Sequence, residues 1–337
     1  MNTNNKLLSI CCLGYNHGKF IKDNIEAIWN CNYKDVEIIV VDDGSKDNSG
    51  EILNELKIKS PCPMHVVLQK NTGNIGHNFN VAWRKAKGHY ITFMSLDDVL
   101  DSNAIPKIMK KLNDDENLAF VAGTKITAID ENGNIKPDIV PPLKLDTIKN
   151  PTVNDLLELE YGEFGAFYIQ GVFFRKKIID AVGCFDEDMT GDDIVLRTKI
   201  FRYMLNNPKW TFDVSHKSFC FYRRHSNNIS NNSPRQIKIV TEYLDKYWPE
   251  RKNPQILIDW ALHTINGMDI RETLNLLSIN RRAASLLSNP EIFAQVNKKL
   301  QKYGNFSRFI FEKIRKDNLR TIIILRFIKF QLKIGNE

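Results

Sequence analysis

The amino-acid sequence predicts an α/β protein with a doubly wound, mostly parallel sheet, helices on both faces and a helical extension at its carboxyl end. The first half of the chain alternates short, continuously apolar runs with segments of helical periodicity, which is typical of a parallel sheet covered on both faces. From about residue 233 the pattern turns helical to the end. In such a fold, ligands bind beyond the carboxyl ends of the strands.

Four strands can be placed in the first half of the chain. They are the apolar runs at residues 7–13, 37–41, 65–69 and 89–94. The intervals begin with turn residues, in GYNHGK, DDGSKDNS and NTGNIGHN, and continue with helical patterns. We therefore expect a strand–helix alternation whose strand ends face one edge of the sheet.

The elements after the fourth strand follow from local signals. A helix is expected to begin near Ser102 or Asn103, since Pro106 is tolerated in a first turn. A strand then ends at an Asn132-Gly133 hairpin turn. Residues 211–225 read as a closing strand. These elements complete a first domain of residues 1–232, followed by a helical region of residues 233–337.

The charge of the chain is concentrated at its carboxyl end. The net charge is +7, yet residues 298–337 hold 11 Lys and Arg against 3 Asp and Glu, while the rest holds 36 against 37. We expect a basic amphipathic helix in this tail, and either an anionic membrane surface as its partner or simple packing on the body. Nucleic acid is not an expected partner, because the rest of the chain carries no excess of basic residues.

The remaining composition is that of an ordinary soluble protein, with 42% apolar and 26% charged residues. The six cysteines form no C-x-x-C pair, and the amino terminus lacks the apolar stretch of a signal peptide. The expected location is the cytoplasm, with peripheral association at the inner face of the plasma membrane as an extension of that expectation.

Acidic pairs follow the second and the fourth strand. Asp42 and Asp43 end the second strand, and Asp97 and Asp98 end the fourth. Because parallel strands end at one edge, four carboxylates are expected around one crevice, where Mn²⁺ or Mg²⁺ on a diphosphate would neutralise them. The alternative for each pair is a solvated turn or a helix cap.

A later acidic stretch and a basic one complete the candidate site. Asp192 and Asp193 come just before a helical segment, and Arg224 and His225 close the YRRH stretch. Carboxylates at that position can also serve as a helix N-cap. The arginine and histidine are candidates for a diphosphate or metal contact, or else a surface ion pair and an ordinary histidine.

Seven segments in order resemble the family 2 glycosyltransferases, which have the GT-A fold. The resemblance covers roughly residues 6–230. It rests on SICCLGYNHGKFIKDNIEAI, EIIVVDDGSKDNSGEIL, the N-x-G segment, AKGHYITFMSLDDVL, QGVFFRKKIIDAVGCFDE, GDDIVLRTKIF and FCFYRRHSNNIS. One segment would be weak evidence, but seven in the right order are highly specific.

On the donor side, the resemblance implies a nucleotide site. Tyr15 would pack on the nucleobase with Asn16 beside it, and Asp43 would hydrogen-bond the base with Asp42 next to it. Ser95-Leu96-Asp97 occupies the D-x-D position. The metal ligands it implies are Asp97, Asp98 and His225, and Arg224 would contact the diphosphate.

On the acceptor side, the resemblance makes Asp193 the general base, with Asp192 in support. Leu196 and Lys199 match the positions that usually follow this acidic pair. Two departures bear on the ligand set: Ser95 replaces the first Asp of D-x-D, and Asp192 replaces the commoner Glu.

The implied activity is inverting transfer of a sugar, most simply from a UDP-sugar, to a hydroxyl of a glycan or a polyprenyl-diphosphate-linked acceptor. This would be a metal-dependent hexosyltransferase of surface polysaccharide synthesis, for O-antigen or capsule. Two alternatives stay open: a non-catalytic scaffold that binds sugar nucleotides or glycans, and a nucleotidyltransferase. The latter is disfavoured because GYNHGK is a poor substitute for a glycine- and lysine-rich phosphate loop.

Overall fold

The computed structural model describes residues 6–136, 143–226, 228, 232–301, 311–316, 319–324 and 328–333. The chain divides into two compact units, the first ending at Asn231 and the second beginning at Asn232. No helix within these described ranges has both the length and the apolar content that crossing a bilayer requires.

The first unit holds nine strands and seven helices within its described residues. The strands are β1 Leu8–Gly14, β2 Val36–Asp42, β3 Met64–Leu68, β4 Tyr90–Ser95, β5 Val99–Leu100, β6 Leu118–Ile129, β7 Ile135–Lys136, β8 Phe173–Arg175 and β9 Thr211–Arg223. The helices are α1 Gly18–Trp29, α2 Ser49–Lys59, α3 Ile75–Lys85, α4 Ile105–Asp114, α5 Val153–Gly162, α6 Lys176–Val182 and α7 Asp193–Asn206.

These strands form one sheet in the order β3-β2-β1-β4-β8-β6-β9-β5, with β7 paired to β6. The first four strands of that order run parallel, and β6 and β9 are also parallel. Strand β8 lies antiparallel between β4 and β6. The sheet is therefore mostly parallel over the half that carries the acidic pairs.

Helices cover both faces, as the continuous apolar strands predict. Every residue of β2 is buried, and its side chains alternate between two core clusters. One cluster takes its helical residues from α3, α5, α6 and α7, and the other takes them from α1, α2 and α4. A strand covered on both sides needs apolar side chains on both sides, which explains the absence of alternation.

The second unit begins with five helices. They are α8 Ser233–Tyr247, α9 Gln255–Asn266, α10 Ile270–Leu277, α11 Arg281–Ser285 and α12 Pro290–Gln301. Side-chain caps mark several starts: Asn232 accepts from the backbone N–H of Arg235, and Asp269 and Glu272 form a capping box. The helical extension predicted from the sequence is thus present up to Gln301.

The helix predicted for the basic tail is wrong beyond that residue. The described parts of the tail are three antiparallel strands, β10 Phe311–Lys316, β11 Leu319–Ile324 and β12 Ile328–Lys333. The segment 328–333 alternates apolar and polar residues with a period of two, and β11 contains three consecutive isoleucines. Both features favour a strand over a helix. The remaining tail residues lie outside the described ranges.

Candidate active site

Strand register brings the predicted acidic pairs to one edge of the sheet. Gly14 at the end of β1 pairs with Asp42 of β2, and Leu13 pairs with Ser95 of β4. The register continues past the strands, because the N–H of Asp43 donates to the carbonyl of Gly14 and the N–H of Leu96 to that of Leu13. The three connections after β1, β2 and β4 therefore start side by side.

Asp97 lies in a pocket of imidazole and hydroxyl groups. Its Oδ2 is 3.0 Å from Nε2 of His225 and 3.8 Å from Nε2 of His17, and its Oδ1 accepts a hydrogen bond from the Ser95 hydroxyl. Burial alone would raise the pKa of Asp97, but His225, His17 and Ser95 outweigh it and hold the pKa below its usual value. This carboxylate is ionised and faces two imidazole nitrogens.

The predicted role of Asp98 as a metal ligand does not fit its position. Asp98 is only 1% exposed, and its Oδ1 accepts a 2.9 Å hydrogen bond from the backbone N–H of Arg223. Burial and the adjacent Asp97 raise the pKa of Asp98 well above its usual value. A buried carboxyl with a raised pKa that ties the turn after β4 to β9 is suited to a structural role.

Asn24 of α1 fixes the turn that presents the two aspartates. Its side-chain amide donates to the carbonyl of Ser95 at 3.1 Å and to that of Asp98 at 2.7 Å. Arg223 holds the same turn from the other side, since its Nε donates to the carbonyl of Asp97 at 2.8 Å. These two buried side chains hold the turn, and Asp97 and Asp98 are thereby kept in different surroundings.

The connection after β1 is tied to the connection after β2. Asn16, in the left-handed region at φ 55°, donates its N–H to Oγ of Ser45 at 2.7 Å, and its side-chain oxygen accepts from the N–H of Lys46 at 2.7 Å. Asp42 accepts from the N–H of Ser45 at 2.9 Å. Tyr15 stays 41% exposed on this braced loop, which leaves its ring face available for stacking.

Asp43 organises the N-x-G segment. Its Oδ1 accepts from the N–H of Thr72 at 2.8 Å and from Nε2 of Gln69 at 3.1 Å, and its Oδ2 accepts from the N–H of Gly73 at 3.0 Å. Burial acts to raise the pKa of Asp43, but these hydrogen bonds outweigh it and lower the pKa. Asp43 is 4% exposed and holds the loop in place. A nucleobase that hydrogen-bonded to Asp43, as predicted, would have to share its carboxylate oxygens with these donors.

Arg224 and Tyr168 link the two halves of the site. The guanidinium of Arg224 lies 5.3 Å from the ring centroid of Tyr222. Burial raises the pKa of the Tyr168 phenol, while Arg224 and Arg197 lower it and Asp193 raises it. Tyr168 is therefore within electrostatic range of both Arg224, one residue from His225, and Asp193.

Asp193 is the first residue of α7 and is held by a buried ion pair. Its Oδ1 accepts from the N–H of Ile194 at 2.8 Å, and its Oδ2 accepts from Nη1 of Arg197 at 2.9 Å. Arg197 is 2% exposed and forms two further hydrogen bonds, of 2.7 and 3.1 Å, with the buried carboxylate of Glu160 in α5. Asp193 itself keeps 38% of its side chain exposed. It is held in place and still accessible.

The rest of the acidic stretch is anchored by other groups. Asp192 occupies the N-cap position of α7, as the helix-cap alternative expects, although its side chain makes no capping hydrogen bond. Lys199 donates to Oδ1 of Asp186 at 2.6 Å and to the carbonyl of Cys184 at 2.7 Å. The neighbouring Glu187 accepts from Arg84 at 2.6 Å and from Asn80 at 2.9 Å. The segment before Asp193 is thereby fastened to α3 and α7.

The metal ligands predicted from the sequence do not assemble as three protein groups. Within the described part of the chain, no group of three or more His, Cys, Asp or Glu side chains is arranged to hold a metal ion. Asp98 is committed to Arg223, which leaves Asp97 and His225 in contact. One carboxylate and one imidazole suit a cation that takes its remaining ligands from a diphosphate and water, and the imidazole favours Mn²⁺ over Mg²⁺.

Three residues of the site were missed by sequence reasoning: His17, Glu160 and Arg197. Each depends on a contact between distant segments, such as the 80 residues that separate His17 from Asp97. A weak signal did exist for Arg197, because it stands four residues after Asp193 and so lies on the same face of α7. Nothing in the sequence around Glu160 marks it as its partner.

Comparison with known sequences identifies a family. The family model described as "Glycosyl transferase family 2" matches residues 9–183. A glycosyltransferase, GlyG, of Streptococcus pneumoniae is 33% identical over 129 residues, which cover 38% of this chain and 42% of that protein. A poly-beta-1,6-N-acetyl-D-glucosamine synthase of Staphylococcus epidermidis is 29% identical over 189 residues, 55% of this chain and 43% of that protein. The matches thus span less than half of each relative.

Solved structures show the same fold. S. aureus TarS 1-349 in complex with UDP-GlcNAc has a TM-score of 0.57 at 14% identity, covering 98% of this chain and all of that one. The mannosyltransferase PcManGT from Pyrobaculum calidifontis, in complex with GDP-Man and Mn²⁺, has a TM-score of 0.53 at 15% identity, covering 88% and 87%. The mixed sheet, the two helical layers and the GT-A neighbours confirm the predicted fold class. With the family model matching more than half of its residues, the chain belongs to glycosyltransferase family 2.

Proposed function

We propose that this protein is an inverting, metal-dependent hexosyltransferase that transfers a sugar from a nucleotide-diphosphate sugar to a hydroxyl of a glycan or lipid-linked acceptor. The observations that carry the proposal are the pairing of Asp97 with His225 at the edge of the sheet and of the partly exposed Asp193 with Arg197 at the start of α7. An ionised carboxylate beside imidazole on one side, and an accessible carboxylate on the other, are the two functions that such a transfer requires.

The donor would bind along the edge formed by β1, β2 and β4. Tyr15 offers an exposed ring to the nucleobase, and the braced loops at Asn16, Asp42 and Asp43 set the shape of its site. The diphosphate would then lie towards Asp97, with Arg224 as a cationic contact. A UDP-sugar is the preferred donor, and the TarS complex with UDP-GlcNAc supports that choice.

Mn²⁺ or Mg²⁺ would be held by Asp97 and His225 together with donor phosphate oxygens. When bound, the cation supplies positive charge that stabilises the leaving diphosphate. The family neighbour with GDP-Man and Mn²⁺ supports a metal, and the Asp97–His225 pair supports Mn²⁺ over Mg²⁺. Ser95 stands where a first carboxylate is usual, so its hydroxyl orients Asp97 in place of a second charge.

The transfer itself follows from the position of Asp193. Its carboxylate accepts the proton of the acceptor hydroxyl as the hydroxyl oxygen forms a bond to the anomeric carbon. The bond from that carbon to the diphosphate oxygen breaks, and its electron pair leaves with the nucleoside diphosphate. Attack from the face opposite the leaving group inverts the anomeric configuration. The exposure of Asp193 lets an acceptor reach it, while Arg197 keeps it in place.

The acceptor and the setting are proposed from relatives. The similarity to a poly-beta-1,6-N-acetyl-D-glucosamine synthase, and to a chondroitin synthase of Pasteurella multocida at 32% identity over 132 residues, supports a glycan acceptor in surface polysaccharide synthesis. Such an acceptor, carried on a polyprenyl diphosphate, would be met at the cytoplasmic face of the plasma membrane.

The test is donor cleavage by the intact protein. UDP-GlcNAc and GDP-Man are each incubated with Mn²⁺, and the release of UDP or GDP is measured for the wild-type protein and for Asp193→Asn. We expect release from one donor and a loss of about 10²–10⁴-fold in kcat in the variant, the contribution of a positioned general base. Asp193→Asn with undiminished turnover would contradict its role as base. Donor binding without any turnover in either protein would favour the scaffold alternative.

A further inference from the structure

The ion pair behind Asp193 has a geometry that stability alone does not explain. Arg197 is 2% exposed and Glu160 is fully buried, so both charges have lost their water. A buried ion pair is weak evidence for stability, because its desolvation offsets the attraction. Yet the third hydrogen bond of this guanidinium reaches outwards to the one partly exposed member of the group, Asp193.

Glu160 sets the orientation of Arg197. Both of its oxygens accept from the guanidinium, at 2.7 and 3.1 Å, and such a fork leaves little rotational freedom. The remaining nitrogen, Nη1, is thereby directed at Oδ2 of Asp193. A lysine could not reproduce this arrangement, because it has no planar fork that contacts two carboxylates at once.

Glu160 also holds the segment at residues 164–170. Its Oε1 accepts a 3.0 Å hydrogen bond from the N–H of Ala166, two residues before Tyr168. Gly165 lies against the guanidinium, since a Cβ there would be 3.4 Å from Nη2 of Arg197, an ordinary van der Waals contact. One buried carboxylate thus connects Asp193 to the segment at residues 164–170.

We propose that Arg197 is a positioning residue. Held by Glu160, it orients the Asp193 carboxylate towards the acceptor hydroxyl and keeps that carboxylate at a fixed position relative to residues 164–170. This inference rests on the proposed function, in which Asp193 is the base. It predicts that losing Arg197 lowers kcat while donor affinity stays the same, because its hydrogen bonds within the described residues are with Glu160 and Asp193.

The experiment compares three variants of the intact protein with the wild type, using whichever of UDP-GlcNAc and GDP-Man the wild type cleaves with Mn²⁺. Arg197→Lys keeps the charge but loses the fork. Arg197→Met combined with Glu160→Gln removes both buried charges together, and the glutamine oxygen can still accept from the N–H of Ala166. Ile200→Ala, a cavity in the same helix away from Asp193, is the control for lost stability. The kcat, KM and melting temperature are measured for each.

We expect kcat to fall about 10-fold to 100-fold in the double variant and less in Arg197→Lys, with KM for the donor unchanged, because small misplacement of a base has costs of that order. Ile200→Ala should melt earlier with kcat unchanged. The inference would be overturned if the double variant had the wild-type kcat, or if a rise in KM accounted for all of its lost activity. Asp193→Asn would still test the proposed function separately. A wild-type protein that cleaves neither donor would overturn both.

Discussion

At the scale of single residues, two adjacent aspartates have opposite electrostatic environments. Asp97 faces His225, His17 and the Ser95 hydroxyl, which keep its pKa low, whereas Asp98 is buried against Asp97 and has a raised pKa. The repulsion that two neighbouring carboxylates would cause is thus relieved by keeping one of them neutral. Only Asp97 is then available as an anion for a metal-bound diphosphate.

This difference predicts contrasting effects of the same substitution. Calorimetric titrations with UDP, GDP and dTDP, each with and without Mn²⁺, would be made on the wild type, Asp97→Asn and Asp98→Asn. We expect metal-dependent binding of one nucleotide, weakened at least about a hundredfold in Asp97→Asn, since changes even in groups around a metal's ligands cost up to that much. Asp98→Asn should bind like the wild type, because an amide mimics the neutral carboxyl that accepts from Arg223.

The stability of Asp98→Asn gives a second test of the raised pKa of Asp98. An acid whose folded pKa is raised destabilises the fold above its unfolded pKa, near 3.8, and this penalty is absent below that pH. Asp98→Asn should therefore unfold at neutral pH no more easily than the wild type. Equal loss of nucleotide binding in both variants would show that Asp98 is also a ligand.

The positions of Asp42, Asp97 and Asp193 in the fold could be predicted because each follows a readable local element. A continuous apolar run predicts a buried parallel strand, and the carboxyl end of that strand is where a ligand site forms. The partners of these residues could not be predicted in the same way. Glu160 meets Arg197 across 37 residues and His17 meets Asp97 across 80, contacts that only the packed sheet and helices bring about.

At the scale of elements, the carboxylate of Glu187 fastens the acidic segment before α7 to α3. Glu187 contacts Nδ1 of His77 at 2.7 Å, Nη2 of Arg84 at 2.6 Å and Nδ2 of Asn80 at 2.9 Å, all from α3. The hydrogen bond to His77, followed by the one to Asn80, lowers the pKa of Glu187 to about 2. Since α3 packs on the sheet, its contacts with Glu187 fix the position of the segment that leads into α7.

This anchor predicts an acid-dependent stability. Because the folded pKa of Glu187 is lower than its ordinary 4.5, its contribution is full above about pH 4.5 and is lost as the pH falls towards 2. Glu187→Gln should melt a few degrees earlier than the wild type at pH 7, since the contacts are partly exposed. The difference between the two proteins should shrink as the pH falls from 5 to 3.

The matched control is Glu55→Gln, an exposed glutamate on α2. It should leave both the melting temperature and its acid dependence unchanged. A difference between Glu187→Gln and the wild type that stays constant from pH 7 to pH 3 would show that the carboxylate charge of Glu187 does not anchor this segment.

At the scale of the whole molecule, the chain separates an almost neutral body from a strongly basic tail. Residues 1–297 hold 36 basic and 37 acidic residues, whereas residues 298–337 hold 11 and 3. The helix expected for this tail was a wrong interpretation of the sequence, because a mixture of basic and apolar residues suits a strand as well as a helix. The charge prediction is independent of that error, since attraction to an anionic surface depends on where the charges lie in the chain and on the salt concentration.

The charge separation predicts salt-dependent binding to anionic membranes through the tail. The intact protein would be sedimented with phosphatidylcholine vesicles with and without phosphatidylserine. We expect binding only with phosphatidylserine, and we expect 0.5 M salt to reverse it, because the Debye length is then a few ångströms.

Two double variants remove the same charge from different places: Lys329→Gln with Lys333→Gln in the tail, and Lys57→Gln with Lys59→Gln on the exposed side of α2. At about 1 kcal/mol for each lysine near the surface, the tail variant should bind roughly 10-fold to 30-fold more weakly, and the α2 variant like the wild type. Equal weakening in both would mean that net charge alone drives the binding, and no binding in the wild type would leave packing on the body as the role of the tail.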